Sequence, residues 1–206
     1  MFPSTDARYR EPVTATDHRR ATAERNVEAI LDGAERLAEQ GKQLSISAVA
    51  GEAHVSRVTV YAHFEGLEQL VEALVQRAVS RAVATIEAAE PERGPADEAL
   101  RRVIAASWEE LGRHQGIGRA AATELSAEAT LRAHHDALRR IRGLVDRGRK
   151  EKAFRTDVPA DWLVASYFAL VHGARDEVLA GRMKRGPALE ALEATLVDLF
   201  VGTRAV

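Results

Sequence analysis

Residues 45–64 read SISAVAGEAHVSRVTVYAHF. Two serines, Ser45 and Ser56, each precede a short helix-forming stretch, and a serine oxygen is suited to accept from the free N–H groups of a first helical turn. Helices are expected over 46–53 and 57–64, with only His54 and Val55 between them. Ile46, Val49 and Ala50 fall on the inward side of the first helix, and Ala53 is small enough for close approach. Val55 plugs the turn, while Val60 and Phe64 anchor the second helix. Arg57, Val58, Thr59, Tyr61, Ala62 and His63 are left facing out. This is the pattern of a helix-turn-helix, whose second helix reads base edges in the major groove.

Working outward, the spacing predicts a helix over 22–40, with Val27, Ile30, Leu31, Ala34, Leu37 and Ala38 on one stripe and Gly41 ending it. A long helix follows over 67–89, broken by the Pro91 to Pro95 stretch. Further helices are expected over 96–114, 119–126, 128–152, 160–180 and 187–201. No segment alternates like a strand. The expectation is an all-α chain of about nine helices. It divides into a flexible arm over 1–20, a helix-turn-helix head over 21–66, and a larger ligand-binding and dimerisation body over 67–206.

Bulk composition narrows the function. The 206 residues contain no cysteine, so neither a disulfide framework nor a thiolate metal site is expected. No signal peptide is evident, and the strongly apolar run 162–171 is far too short to span a bilayer. A cytoplasmic protein with no membrane partner is the expectation. Net charge is −2, and through residue 66 eight Lys/Arg face ten Asp/Glu. Any DNA contact must therefore come from local placement: Arg19, Arg20 and Arg25 near the start of the first long helix, and Arg57.

The segment Ala53-His54-Val55-Ser56-Arg57-Val58-Thr59-Val60-Tyr61-Ala62-His63-Phe64 closely resembles the tetracycline-repressor family of bacterial regulators. There the pattern runs approximately A-G-V-S-x-x-T-[LV]-Y-x-H-F, and helix order and chain size extend the resemblance over the whole length. The resemblance implies a homodimer on palindromic double-stranded operator DNA, acting as a repressor that a small-molecule ligand releases. Ser56 would cap the recognition helix. Arg57, Val58 and Ala62 would approach bases, and Thr59, Tyr61 and His63 would hold the backbone, with Ser45 and Ser47 also at the DNA face. Three positions depart from the pattern. His54 replaces a turn glycine, Val58 a smaller residue, and Leu67 a lysine that grips phosphate.

The family's pocket and dimer surfaces map onto the body. Ser107 and Trp108 lie on one apolar stripe, and His134 on that of Leu131, Leu138, Ile141 and Val145. Tyr167, Phe168 and His172 share a helix face; these six are the candidate ligand-binding residues. Leu163, Leu170, Ala174, Leu189, Leu192, Leu196, Leu199 and Phe200 form apolar stripes expected at the dimer interface.

The remaining motifs read as structure. The run 116–121, GIGRAA, lacks the preceding strand of a dinucleotide site and is expected to be an interhelical turn. Glu110 with His114, and His134-His135-Asp136, lack recognised zinc spacing. The basic stretch 139–152 reads as a solvated helix face. No metal, cofactor or catalytic residue is expected. The competing readings are activation instead of repression, regulation by protein contact with weakened DNA binding, and a helical hydrolase using Glu124 or His134.

Overall fold

The computed structural model describes residues 15–202. Among these it contains ten helices and no strand: α1 (Ala15–Glu39), α2 (Ile46–Glu52), α3 (Arg57–Tyr61), α4 (Leu67–Ala88), α5 (Ala96–Arg113), α6 (Gln115–Glu124), α7 (Ala127–Ala133), α8 (His135–Lys150), α9 (Ala160–Leu179) and α10 (Arg185–Val201). The all-helical expectation holds. No helix of the described residues is long and apolar enough to cross a membrane.

Of the boundaries that differ from the sequence expectation, two bear on the architecture first. Helix α1 begins at Ala15, so Arg19 and Arg20 stand on a helix instead of an arm; the part of the expected arm over 1–14 lies outside the described residues. The single helix expected over 128–152 is two helices broken at His134, whose backbone (φ −93, ψ 2) leaves the helical basin. The His134 Nδ1 faces the Thr130 carbonyl oxygen at 2.8 Å, a side-chain contact to the backbone at the break. As a consequence Leu131 is turned out to solvent, half exposed, and leaves the stripe it was expected to share with Leu138 and Ile141.

The head closes by helix caps and a small core. Ser45 accepts from the Ala48 N–H at 3.1 Å and Ser56 from the Thr59 N–H at 3.0 Å. Ile30, Ala34 and Leu37 of α1 meet Val49 and Ala50 of α2, Val60 of α3, Phe64 after it, and Leu70, Val71 and Leu74 of α4. Arg36 ties α1 to α2 by donating to the Glu52 side chain at 2.8 Å and to its carbonyl at 3.1 Å.

Between α2 and α3 the chain reverses in the left-handed region. The His54 N–H reaches the Gly51 carbonyl at 3.3 Å and the Val55 N–H the Ala50 carbonyl at 3.0 Å, with His54 at φ +56. The same pair of bonds closes α1, where Gly41 holds φ +69. A side chain in this region carries strain that glycine lacks. His54→Gly is therefore expected to stabilise the protein by about 1 kcal/mol. A urea midpoint that stays put or falls would contradict this.

The body core joins Leu100, Val103 and Ile104 of α5 to Ile141 and Val145 of α8, Leu163 and Tyr167 of α9, and Leu192, Leu196 and Phe200 of α10. Helix α4, about 33 Å long at 1.5 Å per residue, serves both units. Its first half completes the head core, and Ile86 near its end enters the body core.

Candidate DNA interface and effector cavity

On α3 the outward residues are where the sequence places them. Val58 is 78% and Tyr61 58% exposed, two of the few large apolar side chains left in water. Arg57 and Ala62 are exposed and His63 half-buried. Thr59 is half-buried, and its hydroxyl lies 2.8 Å from the Ser56 hydroxyl, so part of its bonding capacity is used in the cap. Ser45 and Ser47 are exposed at the start of α2. Arg19, Arg20 and Arg25 are exposed on α1; Arg20 pairs with Glu24 at 2.9 Å, and Arg25 donates to the Ala21 carbonyl at 3.2 Å. Leu67, at the lysine position, is half-buried against the head core.

Between helices α4 to α9 the body forms a partly open cavity of about 290 Å³. Val75, Val79 and Ile86 of α4 form an apolar wall, with Leu138 and Ile141 opposite. Of the six candidate ligand residues, Ser107, His134, Tyr167, Phe168 and His172 line it. The rings of His134, Phe168 and His172 cluster, with centroids 4.3 to 5.1 Å apart. Tyr167 donates to the Ser107 Oγ at 2.8 Å, so these two already satisfy each other; burial pushes the phenol well above its ordinary pKa. Burial also holds His172 down to about 3, aided by the charge of Arg175, and lowers His134 for the same reasons. Both imidazoles are therefore neutral near pH 7.

Trp108 is a correction. It is buried but lies off the cavity, under Arg185, whose guanidinium carbon is 5.5 Å from the ring centroid. The reason is helical geometry: Ser107, Glu110, Leu111 and His114 occupy the cavity face of α5, and Trp108 sits about 100° round from Ser107.

The sequence reading missed Glu110 and Arg175 as wall residues and placed 116–121 in a turn. Residues Gly116 to Ala121 form most of α6 instead. A Cβ on Gly116 would stand 2.1 Å from the Ala38 carbonyl oxygen, so glycine alone lets α6 lie against the end of α1. This contact joins a cavity wall to the head. A second link runs beside it. Glu110 meets His114 Nε2 at 3.2 Å, and His114 Nδ1 lies 3.4 Å from Glu35 of α1, which Arg77 and Arg81 of α4 also grip.

Burial works to raise the Glu35 carboxyl, but the Arg81 hydrogen bond and the Arg77 and Arg81 charges outweigh it and hold the pKa below 4.5. A depressed carboxylate contributes stability that is present above its unfolded pKa and lost as pH falls through the lower folded value. Glu35→Gln is thus expected to narrow the gap in urea midpoint between pH 7 and pH 3; an unchanged gap would refute the assignment. Glu35, Glu39 and His114 could each offer one ligand atom to a common ion. Of this group, Glu35 is already held by Arg77 and Arg81.

The apolar stripes of α9 and α10 are mostly used inside the chain. Leu163, Leu192, Leu196 and Phe200 are buried in the body core, and Leu170, Ala174, Leu189 and Leu199 are half-buried against it. What these helices leave outward is a different set: Trp162, 58% exposed, with Ala165, Ala169 and Gly173 on α9, and Ala191 and Ala194 on α10. Along the basic stretch, Arg139, Arg140 and Arg142 pair with Asp136, Glu87 and Asp146.

Residues 30–74 match the profile of bacterial regulatory proteins of the tetR family. No curated protein matches the chain at the level of sequence. Among solved structures, the TetR-like regulator LfrR from Mycobacterium smegmatis, in complex with proflavine, is 24% identical, with a TM-score of 0.62 and coverage of 88% of this chain and 99% of its own. The fatty acid degradation regulator FadR from Bacillus halodurans is 18% identical, with a TM-score of 0.71 and coverage of 88% and 97%. The TetR-family regulator PfmR from Thermus thermophilus is 19% identical, with a TM-score of 0.62 and coverage of 87% and 97%. At these identities the structures establish a shared fold over nearly the whole chain, and the family match covers the head. The chain thus joins a head that matches the tetR regulators to a body with the fold of tetR-type transcriptional regulators.

Proposed function

We propose that the protein is a cytoplasmic homodimeric repressor that holds a palindromic operator through two copies of α3 and is released when a small molecule enters the α4–α9 cavity. The observation that carries this reading is that the cavity wall and the head share elements. Val75 and Val79 of α4 line the cavity one turn beyond the residues that anchor α3, and α6 lies on α1 through Gly116. A ligand that favours a different α4–α6 spacing shifts the head by the difference in its affinity for the two arrangements. The liganded fold relative LfrR, seen with proflavine, supports a small-molecule effector. Two recognition helices must enter successive major grooves about 34–36 Å apart, which a two-fold partner on the outward face of α9 and α10 would provide.

The test is an electrophoretic shift with the DNA upstream of the protein's own gene, alone and with ligands that calorimetry shows to bind. Expected are a shift from the free protein and its loss on ligand addition. A complex that survives saturating ligand would refute release.

A further inference from the structure

The cavity holds one carboxylate and one guanidinium on its described walls, and they differ in what they still lack. Glu110 is 5% exposed and satisfied: its Oε2 accepts from Arg113 at 3.1 Å and from the Thr85 hydroxyl at 3.4 Å, while Oε1 lies 3.2 Å from His114 Nε2. Arg175 of α9 is only partly satisfied. Its Nε and Nη2 both donate to one oxygen of the neighbouring Asp176, at 3.0 and 2.7 Å, and that aspartate is largely in water. Its Nη1 has no acceptor among the described residues. Nη1 lies over the wall residue Gly118, where a Cβ would approach it to 2.7 Å, so the glycine leaves room for the guanidinium at the cavity surface.

His172, one turn before Arg175 on the same face of α9, has no hydrogen-bond partner among the described residues and lines the same cavity. Held neutral by burial and by Arg175, it carries one N–H to donate. The charge and the free donors thus lie on one wall, whereas the other polar wall residues Ser107, Tyr167, His134 and Thr130 are engaged within the chain and most of the remaining lining is apolar. A cationic ligand would meet a carboxylate already neutralised and an arginine that repels it. An anion would meet a guanidinium edge that binds carboxylate in a fork, in surroundings that strengthen the pairing.

We propose that the effector is a small monoanionic carboxylic acid with an apolar body, its carboxylate seated on Arg175 Nη1 and the His172 N–H and its body against Val75, Val79 and Ile141. The volume of about 290 Å³ is that of roughly ten water-sized groups, which suits a one- or two-ring or medium-chain acid. The proposal rests on the reading of this cavity as the effector site.

The experiment is titration calorimetry of the 206-residue protein with two matched sets: 2-naphthoate, 2-naphthamide and 2-naphthylmethylammonium, and decanoate, decanamide and decylammonium. Expected is binding of at least one carboxylate, with its amide at least about tenfold weaker and its ammonium weaker still. Arg175→Gln should erase the preference for carboxylate over amide, and Arg175→Lys should keep its sign; circular dichroism and operator binding report that each variant is folded. An ammonium that binds best, no binding by either carboxylate at millimolar concentration, or an undiminished preference in folded Arg175→Gln would each overturn the proposal. The operator shift is read separately with the same ligands. A carboxylate that binds without releasing DNA would sink the release mechanism and leave the ligand class standing, whereas an ammonium that binds and releases DNA would do the reverse.

Discussion

Gly173→Glu is expected to yield a folded monomer without operator binding, and Leu196→Glu to yield no folded body. The contrast follows from burial. Leu196 is fully buried among the α5, α9 and α10 core residues. A carboxylate there has no partner, and the penalty, on the order of 5 kcal/mol with the lost packing, is comparable to the whole stability of an ordinary domain, about 5–15 kcal/mol. Gly173 is exposed, and a Cβ on it would meet nothing within 4 Å. Replacing glycine inside a helix even favours the helix, by about 0.5–1 kcal/mol. Within the chain a glutamate at that position has room, so its expected effect is on a partner copy at the outward face, where it would place added bulk and an unpaired charge in the proposed interface. Light scattering should give half the wild-type mass, with the helical circular-dichroism spectrum of the wild type retained. A variant that remains dimeric and still shifts DNA would place the interface elsewhere.

The same contrast shows what the sequence could and could not reveal. Periodicity identifies the apolar stripe of α10 but not which neighbour covers it, because one chain's core and a dimer seam demand the same residues at the same spacing. Leu192 and Leu196 turned out to serve the core, and apart from Trp162 the apolar residues of the outward face are alanines and a glycine, which carry little hydrophobic signal. Helix existence was legible wherever caps and stripes agreed, as at Ser45, Ser56, Val60 and Phe64. The break at His134 was not, since it rests on a side chain facing a nearby carbonyl instead of on glycine or proline. Gly116 misled for a related reason. Its lack of a side chain serves the close approach of α6 to the Ala38 carbonyl, and a glycine needed for packing looks in sequence like a glycine needed for a turn. Trp108 lay one residue from Ser107, a separation that a stripe of apolar residues does not resolve and that a helix turns into a different face. Arg175 was overlooked because an arginine followed by Asp176 and Glu177 reads as part of a solvated charged run, although its guanidinium here reaches the cavity wall.

Arg57→Ala and Tyr61→Ala are expected to abolish operator binding at concentrations where the wild-type protein is saturated, while leaving the fold intact. Both residues project from α3 into water, and neither belongs to the head core that Val49, Val60 and Phe64 form. Unlike Arg20, Arg36 and Arg77, which have carboxylate partners, Arg57 makes no ion pair among the described residues. Its donors are free for a guanine edge, and a bidentate contact there is worth about 1–3 kcal/mol of discrimination against the wrong base. Because a dimer uses the contact twice, one substitution removes two such contacts, about 2–6 kcal/mol, or a loss of roughly thirtyfold to more than ten thousandfold in affinity. Tyr61 should behave differently in kind. A phenol placed on the backbone fixes register without reading sequence, so Tyr61→Ala should weaken all operator variants alike, while Arg57→Ala should also relax the preference at one base pair of each half-site. Ser56→Ala is the control that separates contact from support. Losing the cap on α3 should cost about 1 kcal/mol of stability and lower the urea midpoint, which neither contact variant should move. Wild-type affinity from folded Arg57→Ala and Tyr61→Ala proteins would mean that α3 is not the reading helix.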